Sequence, residues 1–167
     1  AYNLQNENDI SLYIGIPFCP TRCAYCSFVS RSVGKRTELL EPYLRALLQE
    51  IAVTGKLLET SGKKVRTVYI GGGTPTTLSA EQLDRVLGAL HEKFDLTNCR
   101  EITVEAGRPD TIDMEKLQML KDHRVGRISV NPQTMNQKTL DIIGRRASVE
   151  QVKEVYALAR EVGFDNI

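Results

Sequence analysis

The stretch Leu12-Tyr13-Ile14-Gly15-Ile16-Pro17-Phe18-Cys19-Pro20-Thr21-Arg22-Cys23-Ala24-Tyr25-Cys26 reads as a strand that runs directly into a cysteine-bearing loop. Branched and aromatic residues from Leu12 to Ile16 favour an extended chain, and Pro17 and Pro20 hold the loop that follows. Further strand-like runs occur at Val65 to Ile70, Ile102 to Glu105 and Arg127 to Val130. A segment of helical period follows each. After the cysteine loop, Leu40, Leu44, Leu47, Leu48 and Ile51 share one stripe; in the next helix Leu83, Val86, Leu87 and Leu90 do the same. Both stripes require a sheet beneath them. Ser79 with Gln82 and Ser148 with Gln151 have the spacing of capping boxes, in which side chains satisfy the orphan amides of a helix start.

Alternating β and α units impose a parallel sheet, because each right-handed crossover returns the chain in the same direction with its helix on the sheet face. The expected fold class is α/β, a partial (β/α) barrel of parallel strands. Four units and the opening of a fifth strand near Phe164-Asp165-Asn166-Ile167 stop short of closure, so an open sheet with an unpaired edge is expected. Residues 1–167 read as one partial core domain of a longer protein. No internal repeat, low-complexity tract or linker is visible.

Of 167 residues, 41% are hydrophobic and 26% charged, with a formal net charge of +1, the composition of a domain able to bury a core. Both signs are scattered along the helices, which argues against a nucleic-acid partner. No apolar run approaches a membrane span, and Ala1 to Ile10 is polar rather than signal-like, so a cytoplasmic location is expected. Three of the four cysteines fall between positions 19 and 26 and the fourth is Cys99. Such clustering indicates a metal rather than a disulfide framework.

Cys19, Cys23 and Cys26 have CxxxCxxC spacing. Three thiolates can ligate three irons of a four-iron cube, leaving one iron open to a substrate or cofactor. Zinc is the rival, but structural zinc takes four closed ligands, and neither His91 nor His123 lies at a finger spacing. Gly71-Gly72-Gly73-Thr74 follows the second strand, where bare backbone amides could gather around a small zwitterion; a plain glycine-rich turn is the alternative. Glu105 ends the third strand as a hydrogen-bond acceptor or a solvated carboxylate. Arg145 and Arg146 read by themselves as a solvated basic pair, and Cys99 as a small buried hydrophobe.

With an aromatic, Tyr25, directly before the last cysteine, this loop resembles the signature of the radical S-adenosylmethionine (SAM) superfamily. Leu12 to Cys19, Ile70-Gly-Gly-Gly-Thr-Pro-Thr76 and Arg127-Ile-Ser-Val-Asn-Pro-Gln-Thr134 resemble its oxygen-independent coproporphyrinogen III dehydrogenase group, nearest to the HemZ branch. The resemblance implies a 4Fe-4S cluster on the three cysteines and S-adenosylmethionine on the open iron. It implies cofactor contacts from Tyr13, Tyr25, Gly72, Gly73, Thr74, Glu105, Gln133 and Arg145, and an arginine fork suits the cofactor's carboxylate. No catalytic residue is assigned.

The implied chemistry is reductive cleavage of S-adenosylmethionine, hydrogen abstraction from a porphyrinogen propionate, and loss of carbon dioxide to leave a vinyl group. A one-electron donor such as flavodoxin or ferredoxin is the implied partner, with no nucleic acid and no membrane. Gly15 stands where the best-understood members carry histidine, and Phe28 where they carry a further cysteine. The related HemW type shares that phenylalanine, so a haem-binding carrier is the second reading. All these motifs fall just after strands, at the edge where barrel enzymes assemble their sites.

Overall fold

A computed structural model describes residues 8–28, 31–32 and 37–167; most of the polar stretch Ala1 to Ile10 lies outside them. The chain runs β1 (Asp9–Ile16), β2 (Phe18–Cys19), β3 (Arg31–Ser32), α1 (Leu40–Ser61), β4 (Lys64–Gly72), α2 (Ala80–Lys93), β5 (Glu101–Glu105), α3 (Met114–Asp122), β6 (Arg127–Ser129), α4 (Gln137–Ile142) and α5 (Val149–Glu161).

The main sheet has the order β1-β4-β5-β6 with every pairing parallel. Strands are added in one direction without reversal, which is barrel logic rather than doubly wound logic. At its far side Asn166 makes one parallel bridge to Arg127, with the Ile128 N–H donating to the Asn166 carbonyl at 3.2 Å. Asn166 thus continues the parallel order past β6 by a single bridge, and the partial barrel is as expected.

Side chains alternate across a strand. Ile14, Ile16, Val68, Ile70, Ile102, Val104 and Ile128 occupy one face and are buried in a single core with Leu44, Leu83, Val86, Leu87 and Leu90 from α1 and α2. Each such side chain contributes about 1.5–3 kcal/mol when fully buried. Leu48, expected on the α1 stripe, is only partly buried; the stripe that meets the sheet is Leu40, Leu44, Leu47 and Ile51. Both predicted capping boxes form, with the Gln82 and Gln151 amides each donating to the serine Oγ at 3.1 Å.

Tyr13, Tyr69, Thr103 and Arg127 form one register row, and they belong to the other face, which looks into the open barrel. This face is polar: Thr67 Oγ1 donates to Ser11 Oγ at 2.8 Å, and Thr103 Oγ1 to Glu101 Oε1 at 2.8 Å. No described helix is long and apolar enough to cross a membrane.

Candidate cofactor site at the carboxyl edge of the sheet

Leaving β1, the cysteine loop is fastened by backbone at several points. β2 pairs with β3, placing Cys19 opposite Ser32; the Cys26 amide donates to the Cys23 carbonyl at 3.2 Å, and the Ala24 amide to the Ile143 carbonyl, past the end of α4, at 3.0 Å. Cys19 and Cys23 are buried, while Cys26 is partly exposed.

The glycine-rich turn differs from expectation in what its amides do. Gly73 N–H donates to the Ile16 carbonyl at 2.8 Å and Thr74 N–H to the Phe18 carbonyl at 2.7 Å. Because β1 pairs with β4 so that Gly72 faces Ile16, these amides emerge against the carbonyls of the cysteine loop and clamp it. Gly72 has φ +116°, a conformation side chains resist. A Cβ on Gly73 would lie 2.6 Å from the Phe18 carbonyl oxygen and 3.0 Å from Cys19 Sγ. Thr74 is buried, and its Oγ1 donates to Cys19 Sγ at 3.4 Å.

From β5, Glu105 Oε1 accepts the Tyr69 hydroxyl at 2.6 Å. Burial first, and this bond second, push the Tyr69 phenol up to about 12. Tyr69 stacks on Tyr13 with ring centroids 5.9 Å apart. Past β6, Gln133 adopts φ +66°, its amide held by Asn131 Oδ1 at 3.0 Å. Arg145, in the turn after α4, donates from Nη1 to the Gly107 carbonyl at 2.9 Å, and its Nε is buried without a partner.

These elements enclose a cavity of about 260 Å³. Cys19, Cys23, Cys26 and Tyr25 line it from the cysteine loop, Gly72, Gly73 and Thr74 from β4, Glu105 from β5, and Gln133 and Arg145 from beyond β6. Tyr13 is not part of this wall. It borders a neighbouring cleft with Tyr43 and Glu50 and stacks on Tyr69, and burial first and the Glu105 charge second raise its phenol above the ordinary range.

Two contributors were not foreseen. Arg108 is 3% exposed and donates into the cysteine loop; a lone arginine in a Gly-Arg-Pro turn carries no sequence signal for this. Tyr69 shares the alternation of Tyr13 along paired strands, a signal that points to the same face. Cys99 is half-buried rather than buried, its thiol donating to the Glu101 carbonyl at 3.4 Å and held above its ordinary range by burial.

Among the described residues no three His, Cys, Asp or Glu side chains converge on a single-ion site. The three thiols line one cavity, and three cysteine thiolates suit a larger metal group ligated at separate corners. The unsatisfied Arg145 Nε and the buried Arg108 cation fit an anionic occupant.

The family model for the radical SAM superfamily matches residues 13–167. The chain belongs to that superfamily. Its members use a 4Fe-4S cluster and S-adenosylmethionine, which agrees with the donor set of this cavity. The chain is similar to the oxygen-independent coproporphyrinogen-III oxidase-like protein HemZ of Bacillus subtilis, 45% identical over 162 residues, covering 96% of this chain and 32% of that protein. It is 40% identical over 164 residues to the heme chaperone HemW of Lactococcus lactis, covering 98% of this chain and 40% of that one. The solved radical SAM enzyme coproporphyrinogen III oxidase (HemN) of Escherichia coli superposes with a TM-score of 0.85 at 31% identity, over 95% of this chain and 36% of that one. The chain thus spans roughly a third to two fifths of the length of these relatives.

Proposed function

We propose that residues 1–167 form the cofactor-binding part of a radical SAM enzyme acting on a porphyrinogen. One observation carries the reading: three thiols, Glu105, Gln133 and Arg145, drawn from successive strand exits, line the same cavity. Cys19, Cys23 and Cys26 hold the cluster, with Thr74 and the Gly73 backbone fixing the loop that presents Cys19. When bound, cluster and S-adenosylmethionine together supply one-electron reductive cleavage of a carbon–sulfur bond.

The chain's own residues bind and orient. Arg145 offers its unsatisfied Nε to the cofactor's carboxylate. Glu105 accepts hydrogen bonds from ribose hydroxyls, its orientation held by Tyr69. Tyr25 borders the adenine, and Gln133 closes the far side from a strained backbone position that Asn131 supports. Tyr13 supports this edge by stacking on Tyr69 and by lying within electrostatic reach of Glu105.

For the substrate, similarity to proteins named for coproporphyrinogen III oxidation supports oxidative decarboxylation of propionate side chains, with a flavodoxin- or ferredoxin-like electron donor. The second reading is a haem carrier. It is favoured by the 40% identity to a heme chaperone and by Phe28, an exposed phenylalanine that lines the cavity after the last cysteine.

Anaerobic full-length protein supplied with coproporphyrinogen III, reductant and S-adenosylmethionine is expected to yield vinyl product and methionine. Tight haem binding with methionine but no vinyl product would select the carrier. Cys23→Ala is expected to remove both the brown cluster absorbance and cofactor cleavage; cleavage that persisted would refute the ligand assignment.

A further inference from the structure

Arg108 leaves β5 three residues after Glu105, with its backbone fixed by the turn it opens: its carbonyl accepts from the Thr111 amide at 3.0 Å and from Thr111 Oγ1 at 2.7 Å. The guanidinium is buried. Nη1 donates to Thr21 Oγ1 at 2.8 Å, while Nη2 donates to the Thr21 carbonyl at 2.6 Å and to Cys23 Sγ at 3.0 Å. All these partners belong to the cysteine loop and none is a carboxylate. No ion pair links Arg108 to Asp or Glu among the described residues. Arginine remains protonated in proteins, and a buried charge is costly unless an opposite charge faces it. The atom facing this one is a sulfur, which ligates metal as the thiolate.

We infer that Arg108 is a positioning residue for the cluster, an N–H···S donor to the Cys23 ligand that favours the reduced state. This rests on the reading that Cys23 is a cluster ligand. Hydrogen bonds to the sulfurs are among the determinants of iron–sulfur potentials. The step concerned is transfer of one electron from a flavodoxin- or ferredoxin-class donor, which is oxidised, to the thiolate-bound group, which is reduced; no protein bond forms or breaks. Reduction adds one negative charge beside a fixed cation in a site of low dielectric, so the guanidinium stabilises the reduced form more than the oxidised. Its aim is set before any electron arrives, because Thr21 and the Pro109–Thr111 turn hold it.

The test uses anaerobically reconstituted protein grown with ¹⁵N-arginine, reduced with dithionite and examined by pulsed electron paramagnetic resonance and redox titration. The expected wild-type result is a ¹⁵N coupling to the reduced cluster that is absent from Arg108→Met. In that variant the reduced-to-oxidised ratio at fixed potential is expected to fall about tenfold, the size of one charge-assisted hydrogen bond, or about 59 mV for one electron. Arg108→Lys, which keeps the charge without the label, should lose the coupling and recover part of the potential. It serves as the comparison if the methionine variant retains no iron. Fully loaded wild type without the coupling, a coupling that survives substitution, or an unchanged potential in a loaded variant overturns the assignment. A wild type that takes up no iron overturns the cluster reading beneath it as well, and iron analysis separates the two failures.

Discussion

Ile14, Ile16, Val68, Ile70 and Val104 lie on one face of the sheet, each buried to within a few per cent against α1 and α2. Their neighbours along the same strands, Tyr13, Tyr69, Glu105 and Ser129, face the open barrel and carry hydroxyls and a carboxylate. Parallel sheets are usually apolar on both faces because helices cover both. Here, among the described residues, helices cover only one face. The difference divides the labour at single-residue resolution: alternate positions supply either the apolar area that folds the chain or the polar groups that serve the site. Substitutions on the two faces should therefore report different quantities.

The largest separation is expected from Leu87→Ala. Leu87 is 1% exposed in the helix-covered core, and its truncation should cost about 2–5 kcal/mol in denaturant unfolding. A cost near zero would mean that the helix layer does not hold this face.

Gly73→Ala probes the edge where the faces meet. The added Cβ meets the Phe18 carbonyl oxygen at 2.6 Å and Cys19 Sγ at 3.0 Å, an overpacking of about 1–3 kcal/mol that falls on the cysteine loop. Iron retention after anaerobic reconstitution is expected to drop while far-ultraviolet circular dichroism is kept. Full retention would show that the clamp between β4 and the loop is dispensable.

Tyr69→Phe should be the mildest, within about 1 kcal/mol near neutral pH. Its signature lies in alkali. The folded phenol is raised from 10.0 to about 12, so the native state holds its proton longer than the unfolded chain. The associated stability is complete below pH 10 and is lost as pH rises towards 12. The variant should lack that alkaline component, seen by comparing unfolding midpoints across the interval. Identical slopes in both proteins would contradict a phenol raised by burial and by the Glu105 bond.

Legibility in the sequence follows the range of the interaction. Strand runs, helix stripes and the two serine–glutamine boxes rest on contacts a few residues apart, and apart from Leu48 at the margin of the α1 stripe they form where the spacing places them. CxxxCxxC is equally local. Arg108 is not, since its partner Cys23 lies 85 positions earlier and only the β1-β4-β5 order brings them together. The bonding of the amides in the glycine-rich turn is likewise set at long range. Strand register gives the Gly73 amide to the Ile16 carbonyl and the Thr74 amide to the Phe18 carbonyl. Tyr13 has the face its alternation predicts and sits directly opposite Tyr69 in the β1–β4 register.

Anaerobic reconstitution with iron, sulfide and zinc offered together, followed by metal and sulfide analysis and Mössbauer spectroscopy, bears on the three thiols directly. One four-iron cube per chain, with a single iron distinguishable from the other three and altered by added S-adenosylmethionine, is the predicted result. Stoichiometric zinc with no retained iron would contradict it.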